Sequence, residues 1–221
     1  MRLYHFLSAQ YALDDIKKNR IKISLMPDLN DPFEHWAIPL RTSEERKVWK
    51  STVDSIGKTF GVICLSEKWN NPLLWSHYSD KHKGICLGFD VVAAKNITYR
   101  KSKLPYRLDF TKPRAGLSNE DFEKILYTKF QDWQYEEEWR LGTDLTSPEP
   151  SPDNPNKLLY FLDFSSQFQL REVIVGLRSN VTEAQLKTAL QDGQHDNVKV
   201  IKARLAFNTF RVVRNKLGFT E

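Results

Sequence analysis

The chain has 221 residues, 40% hydrophobic and 12% aromatic; this excludes a disordered chain and is enough for one sizeable core. Lys and Arg number 33 against 28 Asp and Glu, a formal net charge of +5 that favours phosphate or nucleic-acid partners without specifying one. The two cysteines, Cys64 and Cys86, exclude a disulfide framework or a cysteine-rich zinc site and read as buried thiols in a reducing compartment. With no apolar stretch near 18 residues and no leader-like start, the expectation is a cytoplasmic chain without a membrane span.

Arg2–Leu7 reads as a strand, followed by a helix from Ala9 to Asn19 with Ser8 as its cap. Arg20–Leu25 alternates as a half-buried strand, Pro27–Pro32 is a loop, and a charged helix covers Ser43–Ile56. The apolar runs Gly61–Ser66 and Ile85–Asp90 predict core strands of one sheet, joined through a short helix holding Leu74, Trp75 and Tyr78. Tyr99–Tyr106 predicts a further strand, Ser118–Tyr127 the start of an amphipathic helix, and Glu138–Leu141 a strand. Residues 147–157, with four prolines, read as an irregular excursion at the edge of one domain. Strands then follow at Leu158–Asp163 and Glu172–Gly176, a helix at Thr182–Leu190, a strand at Val198–Ala203, and an edge strand over Arg204–Arg214 with Val212 and Val213 inward. The predicted fold is α+β: a single domain over 1–221 with a mixed, mainly antiparallel split sheet flanked by short helices.

Four groups of residues carry chemistry. Tyr4-His5 ends a strand, where imidazole hydrogen-bonds a polar ligand or is satisfied in the core. Asn30-Asp31-Pro32-Phe33-Glu34 is a pinned turn with Phe33 as a core anchor, or a place where carboxylates orient a ribose or hold a cation. Around Trp75-Ser76-His77-Tyr78, Tyr78 can stack on a base beside a Trp75 wall, or the helix simply packs its aromatics on a sheet. In Trp133–Arg140, strand alternation puts Glu136, Glu138 and Arg140 on one face and Glu137 and Trp139 on the other, either as a site or as a surface ion-pair ladder.

Basic residues concentrate in Lys95–Arg114, net +6, and in Val198–Glu221, net +5. Either segment can steer a polyphosphate or nucleic acid, or serve as a solvated strand edge. Dinucleotide-fold, P-loop, zinc-finger and nucleophile-elbow patterns are absent from the sequence.

Taken in order, several of these motifs resemble the bacterial domain-of-unknown-function family DUF2971: Tyr4-His5, Asn30-Asp31-Pro32-Phe33, Cys64-Leu65-Ser66, Trp75-Ser76-His77-Tyr78, Gly84–Phe89, Tyr135–Arg140 and Glu172–Gly176. The same order also resembles the ADP-ribosyltransferase superfamily with a His-Tyr-Glu pattern, which implies an ADP-ribosyltransferase-like fold. That resemblance implies NAD as cofactor, with His5 on its ribose, Tyr78 against nicotinamide and Glu138 assisting transfer. Glu136 orients the acceptor or takes the glutamate position itself, with Glu172 a further alternative. Tyr4, Asn30, Asp31, Trp75 and Arg140 complete the implied cofactor contacts. The expected activity is NAD-dependent ADP-ribosyl transfer or NAD hydrolysis, with a protein, nucleic acid or water as acceptor. The alternatives are a non-enzymatic nucleic-acid-binding module and, lower, a metal-dependent nuclease using Asp31, Glu34, Glu136 and Glu138; no resident metal is expected.

Overall fold

Alternation at the start of the chain becomes β1 (Arg2–Leu7), followed by α1 (Ala9–Lys18), β2 (Arg20–Lys22) and β3 (Ser24–Leu25). The computed structural model describes residues 1–105 and 107–219. Next come α2 (Ser43–Ile56), β4 (Phe60–Ser66), α3 (Pro72–Tyr78), β5 (Ile85–Val91), β6 (Lys95–Asn96) and β7 (Thr98–Arg100). After α4 (Asn119–Leu126) and β8 (Thr128–Phe130) run β9 (Glu138–Asp144), β10 (Glu149–Ser151), β11 (Asn154–Leu159) and β12 (Phe161–Asp163). β13 (Phe168–Val175), α5 (Glu183–Asp192), β14 (Lys199–Leu205) and β15 (Val212–Arg214) follow.

The chain divides into two compact units, Met1–Lys22 with Leu65–Ala93 and Leu162–Glu221, and Ile23–Cys64 with Ala94–Phe161. In the first, the sheet order is β15-β14-β13-β5-β1, antiparallel except for the parallel pair β13/β14. Its core is built from the continuous apolar runs: Leu3, Ile85, Leu87, Phe89, Val173 and Ile174 are all fully buried, as expected for strands covered on both faces. Gly84 is required by close approach, since a Cβ there would stand 2.1 Å from the Leu7 carbonyl oxygen. In the second unit β3 and β4 are antiparallel, as are β6 and β9, while β7 and β8 are parallel. Its core gathers Trp49 and Val53 of α2 with Met26, Ile38, Val62, Ile125 and Leu126. Thr42 and Glu45 close a capping box on α2, and Ser118 and Asp121 close one on α4. The strand pairings of each unit are thus mixed and mostly antiparallel, with helices beside them.

Several expectations are corrected. The proline-rich stretch carries regular pairing: β10 and β11 form an antiparallel hairpin across a Pro152-Asp153 turn, with Pro150 opposite Leu158 and a register shift between Pro150 and Ser151. A two-stranded ribbon tolerates proline because each strand has an edge on which no N–H is needed. The strand expected over Tyr99–Tyr106 is only Thr98–Arg100, and Tyr106 lies outside the described residues. Arg20–Leu25 and Leu158–Asp163 are each interrupted, at Ile23 and Tyr160, where the Ile23 N–H donates to the Tyr160 carbonyl at 2.8 Å. The expected Arg204–Arg214 strand breaks at Ala206–Arg211; Val212 alone of its valine pair is fully buried.

α1 buries Ala12 and Ile16 as its spacing predicts, but also Asp15. Burial pushes the Asp15 carboxyl up to about 8, reinforced by Asp14 and opposed by Arg20. A carboxyl raised in the folded state takes up a proton on folding, so its penalty grows as pH rises from its unfolded value near 4 towards 8. Asp15→Asn is therefore expected to raise stability at pH 7 by about 2–4 kcal/mol and to flatten the urea-midpoint profile across that window. An unchanged midpoint at pH 7 would show Asp15 to be charged and compensated.

Candidate functional site

The site grows from the turn at Asp31. Its side chain accepts the Phe33 N–H at 2.9 Å and its carbonyl accepts the Glu34 N–H at 3.0 Å, an Asx turn of the expected kind. The inward position after this turn goes to Glu34, not to Phe33, which is 60% exposed and so is not the expected core anchor. Trp49 secures the next residue, its indole N–H donating to the His35 carbonyl at 2.7 Å.

Opposite Glu34, β8 brings in Lys129, and a 3-10 turn at Gln131–Glu136 leads to β9. Glu137 adopts a left-handed conformation, φ 44°, and this reversal lets Glu136 and Glu138 both point inward. Arg140, two residues along the strand, shares the face of Glu138. The expected ladder is therefore not a surface feature: Arg140 is 0% and Glu138 4% exposed.

The Lys129 ammonium donates to Glu136 at 2.6 Å and to Glu138 Oε2 at 2.8 Å, and stands 3.2 Å from Glu34. Arg140 Nε donates to Glu138 Oε1 at 2.7 Å, Nη2 to Glu34 and Glu138, and Nη1 to the Leu126 carbonyl at 2.7 Å. The Glu138 N–H donates to the Tyr99 hydroxyl at 2.8 Å. Among the described residues, three carboxylates thus meet two cations in a buried cluster. Burial pushes the Glu138 carboxyl up, but Arg140 and Lys129 overcome it and hold the group at about 2. Burial opposes the charged ammonium of Lys129, yet Glu138, Glu34 and Glu136 hold it well above the ordinary lysine range. Burial pushes the nearby Cys64 thiol up, and Glu138 adds to the effect, so it is a poor thiolate nucleophile.

Lys129 also lines a cavity of about 300 Å³ with Phe33, Trp36, Arg100, Lys101, Lys103 and Phe130. The Lys103 ammonium lies 5.9 Å from the Phe33 ring centre and 5.8 Å from that of Trp36. The cavity therefore joins aromatic faces to a cationic rim, a lining suited to a planar anionic ligand.

The other expected residues lie in the first unit. Tyr4 donates its hydroxyl to Glu172 at 3.0 Å, and Glu172 also meets Arg2 at 3.4 Å and Lys199 at 3.3 Å. His5 is on β1 opposite Leu87, and Tyr78 ends α3. Trp75 is wholly buried, donating to the Trp69 carbonyl at 2.6 Å and set edge-on to Phe6, so its ring serves the core. Asn30 and Asp31 belong with Glu136, Glu138 and Arg140 in the second unit. Among the described residues no group of three or more His, Cys, Asp or Glu is placed to hold a metal; of the carboxylates considered for one, Glu34, Glu136 and Glu138 converge on Lys129 and Arg140, and Asp31 closes its turn. No helix among the described residues is long and apolar enough to cross a membrane. Lys129 and Tyr99 were not among the expected site residues, because a single Lys between Thr128 and Phe130 carries no local mark of burial.

Residues 74–141 match the family model described as Protein of unknown function (DUF2971). The match takes in Trp75, Tyr78, Lys129, Glu136, Glu138 and Arg140, and does not extend to Tyr4-His5, the Asp31 turn or Glu172. No curated protein and no solved structure matches the chain.

Proposed function

We propose that the second unit binds a nucleotide in the cavity beside Lys129 and acts on NAD, transferring or hydrolysing its ADP-ribosyl group. The observation that carries this reading is the joining, through Lys129, of an aromatic, cation-rimmed cavity to a buried cluster in which Glu34, Glu136 and Glu138 meet Lys129 and Arg140. The residues fit such a ligand: Phe33 and Trp36 offer ring faces, Arg100, Lys101 and Lys103 offer partners for phosphate oxygens, and about 300 Å³ admits a base with its ribose. When the nicotinamide–ribose bond of NAD breaks, its electron pair goes to the cationic nicotinamide, which leaves neutral. The positive charge passes to the ribose, where water or an acceptor nucleophile adds and gives up its proton. The chain's part is electrostatic: Glu138, kept ionised by Arg140 and Lys129, presents a negative charge that favours that developing cation over the neutral sugar. Lys129 contacts the cavity and holds Glu34, Glu136 and Glu138 in place.

Calorimetric titration of the full chain with NAD, ADP-ribose and AMP, paired with an assay for released nicotinamide, tests the reading. Phe33→Ala and Lys103→Ala remove exposed wall residues and are each expected to weaken binding about tenfold, without a change in urea midpoint. Nucleotide binding without nicotinamide release would make the unit a binding module and not an enzyme. Absence of binding by all three ligands would overturn the proposal.

A further inference from the structure

The first unit carries a second feature of a different kind. β14 and β15 pair antiparallel, with Leu205 opposite Val212, and the connection between them holds Phe207 and Phe210 at 88% and 99% exposure. The Ala206 N–H donates to the Arg211 carbonyl at 2.9 Å, closing the connection at its base. Two phenylalanines held almost wholly in water gain nothing for the fold.

Their surroundings are cationic. No Asp or Glu occurs between Asp196 and Glu221, whereas Lys199, Lys202, Arg204, Arg211, Arg214 and Lys216 all do. Among the described residues, Arg204, Arg211, Arg214 and Lys216 make no ion pair with a carboxylate. The Arg204 guanidinium lies 4.5 Å from the Phe207 ring centre, and Arg204, Phe207, Arg214 and Lys216 line one open pocket of about 770 Å³.

We infer that the β14–β15 connection is a binding surface for single-stranded nucleic acid. Phe207 and Phe210 provide stacking faces for successive bases, and the unpaired arginines and Lys216 meet the phosphates. Two observations favour this occupant over a lipid surface. Asn208 and Thr209 place hydrogen-bonding groups between the two rings, where an inserting loop would be apolar. A guanidinium also lies on one face of Phe207, and carrying it into hydrocarbon would be costly. The surface lies wholly within the first unit, so the inference stands apart from the nucleotide cavity.

The test uses the full chain with fluorescently labelled 20-nucleotide oligo-dT and oligo-A RNA, followed by anisotropy at 50 and 200 mM salt. Binding is expected at 50 mM, with the double variant Phe207→Ala/Phe210→Ala weaker by about tenfold or more. Arg214→Ala should lower the slope of log affinity against log salt by about 0.7. Because both phenylalanines are exposed, the double variant should unfold at the wild-type urea concentration. No oligonucleotide binding at 50 mM salt, or binding indifferent to the double variant, overturns the inference. So does co-sedimentation with phosphatidylserine vesicles, or self-association lost in the double variant, if oligonucleotide binding is absent.

Discussion

Arg140→Met is expected to lower folding stability by about 3–5 kcal/mol, read from the urea midpoint at pH 7. Methionine fills similar volume, so the loss comes from charge and not from a cavity. Without the guanidinium, Glu34 and Glu138 remain in a dry interior with Lys129 as their shared cation, and the Leu126 carbonyl loses the donor that Arg140 supplies. Removing one member of a buried set is costly because the partners left behind keep their desolvation penalty. The deficit should shrink as pH falls, because buried Glu138 without Arg140 takes up a proton more readily than the paired carboxylate of the wild type. A loss under about 1 kcal/mol at pH 7 would mean that water reaches the cluster.

Glu138→Gln should slow nicotinamide release by about 100-fold or more while leaving a folded protein. The amide oxygen can still accept from Arg140, but the negative charge of Glu138 is gone. Equal turnover in the two proteins would remove Glu138 from the proposed chemistry. The same variant has a second signature in acid. Glu138 is held at about 2, below an ordinary value of 4.5, so the folded state binds fewer protons than the unfolded one between these values. Its contribution is present above pH 4.5 and is lost as pH falls towards 2. Wild type should lose that stability on acidification, and Glu138→Gln should show a flatter profile over the same range.

The two variants separate structural from chemical roles. Arg140, for which the resemblance implied a cofactor contact, is wholly buried and paired with Glu34 and Glu138, so its variant is judged first on stability. Glu138 is judged on turnover, with the acid profile showing that its ionised state is the one in use.

Most elements were legible from local pattern. The apolar runs at Gly61–Ser66 and Ile85–Asp90 became strands, and Trp49, Val53 and Ile56 share the buried face of α2, since side-chain period follows directly from backbone geometry. The Glu138/Arg140 relation was legible too, because two residues apart on a strand means the same face. Burial of that face was not, since it depends on Lys129 and on Glu34, which lies 106 positions before Arg140. Nor did composition reveal that Glu34 turns inward while Phe33 turns out, or that a proline-rich stretch pairs as a hairpin.

Sequence alone determined most of the elements, the charge excess and the list of polar residues available for chemistry. Tertiary structure alone decided which of them meet: a carboxylate's local neighbours set its orientation along the chain, but its solvation and partners depend on segments brought together by folding. The interior then tolerates those charges only as a mutually paired set.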